Sequence, residues 1–288
     1  RRGYYGAYAQ AGAPMGVILA NIAFISVSLL TTEESFLSWG WRIPFIISFV
    51  LVIISMYIQL KLEDTKAFQE LEASKTAENN DSKVVRTSPI LEALKRYPRR
   101  ISLAAGAFLS VQVTFYILVA FVLAYGVETT SLSRNDLLTA VLIGSAIMVP
   151  TQFYFSDYSD KKGRKGIFMM GALLTAIWAF FLFPLIDTGN FYLVVLGVTG
   201  GLTFLGMMYG PQAAFFAELF STEVRYSGAS LGYQIGAIIG GSFAPTIATL
   251  LWTSYDIFWV SVYIAFASIA SLVSVYFLTE TYKTDLNE

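Results

Sequence analysis

The sequence predicts an all-α membrane protein with eight spans, and three observations predict it. The chain is 56% hydrophobic and only 14% charged over 288 residues, whereas a soluble domain is about a quarter charged. Its apolar residues fall in continuous runs of about 20, the length of a helix that crosses a bilayer. These runs do not alternate and are too long for barrel strands. Lys and Arg divide very unevenly between alternate connecting segments, as they do in a polytopic membrane protein.

Composition also excludes several function classes. A net charge of −1 leaves no basic footprint for nucleic acid. The absence of Cys rules out disulfides and thiolate chemistry, and the absence of His removes the commonest general base and metal ligand. No buried carboxylate pair stands in for them, so no enzyme, metal or cofactor is expected.

Taken in order, the spans cover roughly 13–31, 43–62, 101–126, 136–155, 166–186, 190–219, 226–252 and 257–279. The chain opens RRGYYG, without Met or a signal peptide, and reads as part of a longer protein. Seventeen of the 19 Lys and Arg fall on the side that holds the N-terminus of this sequence; Arg42 and Arg134 fall on the other. The positive side is therefore expected to be cytoplasmic, together with the tail.

Between the second and third spans lies a polar stretch, 63–100. Its middle, SKTAENNDSK, has no aromatic residue and reads as mobile. Its end, TSPILEALKRYPRR, reads as a short amphipathic helix with Ser88 as cap, Pro89 in the first turn and Pro98 as stop. Its basic residues either rest on anionic headgroups or form a solvated linker.

The stretch SDYSDKKGRKG, Ser156 to Gly166, joins the fourth and fifth spans. Asp160 can accept hydrogen bonds from the start of a neighbouring helix. Arg164 can grip a carboxylate with two bonds. Glu218 and Arg225 flank the next turn on the same side and are natural partners. One reading is a latch that forms in one conformational state and breaks in the other. The other is a topology signal with ordinary surface pairs.

In the seventh span Gly228, Gly232, Gly236 and Gly240 recur every four residues and share a face. The face serves either a gating helix or static close packing. Pro245 is expected to bend that helix. Uncharged polar residues mark candidate solute contacts near the midplane: Asn21, Gln112, Tyr116, Tyr209, Gln212, Tyr233 and Gln234. Each also has a structural reading, as a helix tie or a packed ring with a locally satisfied hydroxyl.

An internal repeat organises these elements. The pattern Arg-x8-Gln-x-Gly-x3-Gly occurs at Arg1, Gln10, Gly12, Gly16 and again at Arg225, Gln234, Gly236, Gly240. The spans that follow end alike, in Leu62-Glu63-Asp64-Thr65 and Leu278-Thr279-Glu280-Thr281. Spans one and two then repeat as seven and eight, the unit is six helices, and four helices precede this chain. Two parallel units of six are a transporter layout.

The residues also carry a resemblance. Ser159-Asp160-Lys161-Lys162-Gly163-Arg164-Lys165 resembles the signature loop of the major facilitator superfamily, with Ser156 and Tyr158 departing from its usual Gly and Leu. WGWRIPFIISFVL followed by LEDT, and GPQAAFFAELFSTEVRYSGASLGYQIGAIIGGSFAP, are similar to its metabolite:proton symporter branch, as is RRGYYGAYAQAGAPMG. The resemblance implies a twelve-helix, monomeric inner-membrane transporter, of which 1–62 are the last two helices of the N-terminal bundle and 101–288 the C-terminal bundle and tail. It implies a solute among small organic acids, shikimate-like compounds and osmolytes, with a proton as coupling ion. It assigns the latch role to the loop containing Asp160, Gly163 and Arg164. No Asp, Glu or His lies deep in these spans, so a coupling acid is either upstream or absent. An uncoupled facilitator and a non-transporting remnant are the rival functions.

Overall fold

The computed structural model describes residues 1–61, 89–221 and 224–283. The expectations for Leu62 to Ser88, including the first Leu-acid-acid-Thr end, the mobile middle and the Ser88 cap, lie outside the described residues. Those described form helices and no strand. Eight helices are long and apolar enough to cross a membrane. They are α1 (Arg2–Leu30), α3 (Gly40–Lys61), α5 (Pro98–Thr129), α6 (Arg134–Lys162), α7 (Arg164–Asp187), α8 (Phe191–Glu218), α9 (Arg225–Ser254) and α10 (Ile257–Phe277). Among the described residues two short helices, α2 (Glu33–Ser38) and α4 (Pro89–Arg96), accompany them.

Several helices run beyond the predicted spans, with α1 from Arg2, α5 from Pro98 and α6 from Arg134, while α8 and α10 fall within theirs; side-chain caps fix three of the starts. Ser133 and Asp136 form a reciprocal capping box at the start of α6. The Asn190 and Asp256 side chains accept from backbone N–H groups at the starts of α8 and α10. Pro98 does not merely stop α4. It occupies the first turn of α5, where its missing N–H costs nothing.

Two compact units emerge. One comprises Ala23–Ser88. In it Thr32 caps α2, Arg42 donates to the Ser38 carbonyl at 2.7 Å, and Gly40 fits between Val27 and Phe36. The side chains of α3 from Phe45 onward face outward within this unit, as suits a helix whose solvent is lipid.

The other unit comprises Arg1–Ile22 with Pro89–Glu288. Here α8 packs along α6 and α7, α10 packs on α7 and α5, and α9 packs on α5. Two apolar clusters fill it. One is built on Ile117, Phe121, Met148, Phe183 and Leu202, the other on Phe108, Phe168, Phe215 and Phe216. Where α5 meets α10, serines replace apolar packing. Ser110 bonds Ser268 at 2.9 Å through the hydroxyls and Ser271 at 2.8 Å through its backbone N–H. Small side chains with locally satisfied hydroxyls let these two helices approach closely.

The glycine stripe of α9 faces two partners. A Cβ on Gly228 would strike Phe220; one on Gly232, Gly236 or Gly240 would strike Ala104, Phe108 or Leu109 and Gln112 of α5. The first copy of the repeat differs, since Gly12 and Gly16 have nothing within 4 Å of such an atom. Both α5 and α9 contain one π-helical turn, Ile117–Phe121 and Ile238–Ser242. In α9 the irregularity falls just before Ala244–Pro245. Pro245 supplies no N–H to the carbonyl four residues earlier, so the disturbance lies on its N-terminal side. The π turn of α9 packs against the α-helical part of α5 just before that helix's own π turn, with Gly241 against the Tyr116 ring.

Candidate functional site

The loop between α6 and α7 turns on Gly163, whose φ of 107° is open to glycine at little cost. The turn aims Arg164 inward, and its side chain is 2% exposed. A guanidinium this deep needs partners for its donors. Nε and Nη2 grip both oxygens of Glu218 at 2.6 and 2.8 Å. Nη2 also reaches Asp160 at 3.0 Å and Nη1 reaches the Ser159 hydroxyl at 3.1 Å.

One cation between two carboxylates leaves a negative excess, which a helix end offsets. Asp160 accepts from the backbone N–H groups of Gly3 and Tyr4, at 2.8 and 3.0 Å, in the first turn of α1. There the helix dipole favours an anion. A Cβ on Gly3 would lie 2.5 Å from the guanidinium and 3.0 Å from Asp160, so this approach requires glycine.

The segment after α10 closes the junction. Thr281 donates its hydroxyl to Glu218 at 2.7 Å. Glu280 accepts from the backbone N–H groups of Arg164 and Lys165 at 2.9 and 3.1 Å, capping α7 from outside. Lys165 donates to the carbonyls of Tyr276 and Leu278 at the end of α10. Lys161 pairs with Asp157 on the exposed surface, an arrangement worth about 0.3–0.5 kcal/mol. Arg225 bonds the Phe220 carbonyl at 3.4 Å and does not enter the grip on Glu218, which Arg164 holds.

Further along α1 and α8, and walled mainly by α5, lies a cavity of 220 Å³ lined by Ala13, Phe108, Val111, Gln112, Phe115, Tyr116, Leu205 and Tyr209. Three of the predicted solute contacts, Gln112, Tyr116 and Tyr209, meet on its wall. Gln112 and Tyr116 come from one face of α5, with Tyr116 immediately before the π turn. The wall carries no charge, so its polar work falls to an amide and two phenols, which both donate and accept.

The other four predicted contacts sit elsewhere. Asn21 is buried with its amide nitrogen unpartnered by protein, and Gln212 is fully buried with both amide atoms in that condition. Tyr233 packs its ring on Phe108 and Phe216, at 4.7 and 5.0 Å between centroids. Gln234 is exposed on α9.

Sequence reasoning missed several members. Gln10 marked the repeat, yet it also donates to the Tyr209 carbonyl at 3.1 Å and lies 3.4 Å from the Tyr233 hydroxyl, one turn before cavity-lining Ala13. Glu280 and Thr281 were legible as a repeated span ending, and that ending was the available signal. Ser159 carried only its place in the signature-like loop, and the rings of Phe108 and Phe115 carried no signal beyond their composition. Among the described residues no group of three or more acidic, His or Cys side chains is placed to hold a metal ion.

Eight apolar helices, an uncharged cavity and a buried ionic junction at one end define a polytopic α-helical membrane protein. The chain belongs to the Major Facilitator Superfamily, whose description matches residues 1–232. It is 35% identical over 288 residues to the inner membrane metabolite transport protein YhjE of Escherichia coli, covering 98% of this chain and 63% of that one. It is 31% identical over 270 residues to the shikimate transporter of Escherichia coli, covering 91% and 59%. Its fold matches that of the proton:xylose symporter XylE bound to 6-bromo-6-deoxy-D-glucose, with a TM-score of 0.68 at 16% identity over 96% of this chain and 64% of that one. The chain thus spans less than two thirds of each of these.

Proposed function

We propose that the full-length protein is a secondary active transporter of the bacterial inner membrane. It moves a small polar metabolite, an organic acid, a shikimate-like compound or an osmolyte, by proton symport through alternating access. Residues 1–62 are the end of the N-terminal bundle, 63–100 a cytoplasmic linker, and 101–288 the C-terminal bundle and tail.

One observation carries this reading: α1 reaches both sites. Its first turn is held by Asp160 and its fourth turn presents Ala13 to the cavity. Releasing the junction frees the end of a helix that walls the cavity, which is the coupling that alternating access needs. In this reading Asp160, Gly163, Arg164 and Glu218 are the latch, with Arg225 steadying the turn after α8. Gln112, Tyr116 and Tyr209 bind solute. Asn21, Gln212, Tyr233 and Gln234 support the surrounding helices or face solute as the bundles move. The protein works as a monomer without a cofactor.

The uncharged wall favours a second reading, an uncoupled facilitator, because no lining residue carries a titratable carboxylate or imidazole. Uptake of labelled shikimate and glycine betaine into vesicles holding the full-length protein separates the two. Symport predicts accumulation that collapses when the pH gradient is dissipated. Equilibration that ignores the gradient establishes the facilitator, and absence of any uptake across the solute panel defeats both.

A further inference from the structure

The proposed transport cycle leaves α4 without a role, although its two sides have opposite chemistry. One side is anchored. Ala93 is fully buried against the bundle. Tyr97, next in the chain, donates its hydroxyl to Ser221 at 3.3 Å and sets its ring edge-on to Phe220 at 5.9 Å. Arg100 then donates to the Leu219 carbonyl at 2.7 Å. These bonds fix the orientation of α4, so its outer side is a defined surface.

That outer side is apolar and exposed, with Ile90 at 49%, Leu91 at 54% and Leu94 at 40%. On a helix these positions fall within an arc of about 100°. Lys95 borders the arc and Arg99 follows in the next turn. From Lys95 to Arg100 four of six residues are cationic, against the single acid Glu92 in α4. The chain enters a membrane-spanning helix at Pro98, two residues after α4 ends. The apolar arc therefore lies within a few residues of the start of a helix long and apolar enough to cross a membrane.

We infer that α4 is a docking surface for anionic phospholipid, with Ile90, Leu91 and Leu94 set into the acyl boundary and Lys95 and Arg99 on headgroup phosphates. An amphipathic helix lies in the interface when apolar burial and attraction to anionic lipid act together. Each cation near such a surface contributes substantially to binding. Charge complementarity selects lipid over a soluble acidic partner, because the same surface also presents branched aliphatic side chains that water solvates poorly. The inference does not rest on the transport assignment.

The test is native mass spectrometry of the full-length protein offered equal phosphatidylglycerol and phosphatidylcholine, with no uptake measured. Retention of phosphatidylglycerol over phosphatidylcholine is expected, falling about fivefold for each cation removed in K95Q and R99Q. L91S/L94S lowers retention of both lipids. Equal retention of the two lipids by the parent protein, or unchanged selectivity in K95Q/R99Q, overturns the inference. So does displacement by millimolar glycerol phosphate, which identifies a free-phosphate site. A bimane label at Leu94→Cys, with any Cys outside these 288 residues replaced by Ser and none to replace within them, provides a second readout that does not depend on the charge variants. Nitroxide lipids in proteoliposomes quench it if the surface meets lipid. No quenching means polypeptide covers the surface, and the inference falls.

Discussion

Asp160, Arg164 and Glu218 lie at one end of α6, α7 and α8 with their charge answered by named partners. Gln152, Ser156 and Gln212, one to two turns further into the same helices, are as deeply buried and have no protein partner for their side-chain polar atoms. The difference follows from what each group costs when left alone. An unpaired buried charge is prohibitive, so an ionic junction fixes how its helices meet. An unpaired amide or hydroxyl costs about 1–3 kcal/mol, which a large apolar interface absorbs. Charge therefore specifies helix geometry at the end of the bundle, and neutral polarity further in does not.

The largest expected effect tests the junction. Arg164→Ala leaves Glu218 and Asp160 buried without their cation and should cost about 3–5 kcal/mol. Scanning fluorimetry of the purified full-length protein reads this as a lower unfolding midpoint, and an unchanged midpoint would erase the contrast. Next comes Asp160→Asn, which keeps the shape but weakens the bonds from Gly3, Tyr4 and Arg164. Uptake should slow about tenfold while apparent solute affinity holds, the rate equivalent of one or two charge-assisted hydrogen bonds. A proportional loss of affinity would move Asp160 from latch to solute site.

On the cavity side, Gln112→Ala should weaken solute affinity about fivefold, the value of one neutral hydrogen bond. Competition binding that shows no change removes Gln112 from the solute contacts. The smallest loss is expected at Gln152→Leu. Replacing an amide that has no protein partner by an apolar side chain of similar size removes its desolvation cost, so stability should hold or rise by up to about 1–3 kcal/mol. A loss as large as that of Arg164→Ala would show that the two kinds of burial are not distinct.

Span number and the identity of the junction loop were legible, because lipid allows few backbone solutions and charges in a short turn are conspicuous. The starts of the helices were less so: α1 begins at Arg2 and α5 at Pro98, ahead of the predicted spans at 13 and 101. The meeting of Gln112, Tyr116 and Tyr209 could be read only as far as polar residues in apolar spans. Which ones converge depends on helix rotation, and the π turn after Tyr116 alters rotation in a way no hydropathy pattern records. Gln212 has the same composition signal as Gln112 and yet lies buried outside the cavity wall. Glu280 and Thr281 fold back onto Arg164, Lys165 and Glu218 from 63 to 116 positions away in the chain, a separation that local pattern reading does not bridge.

The wide turns at Ile117–Phe121 and Ile238–Ser242 carry a consequence for insertions and deletions. A π turn accommodates one residue more than the α-helix on either side of it. Deleting a single residue inside either five-residue stretch lets the helix close into regular winding with both flanks still facing their neighbours. The same deletion two turns away swings everything beyond it by about 100°. These helices thus hold a length tolerance in two short places, and homologous chains that differ by one residue there can share every other contact.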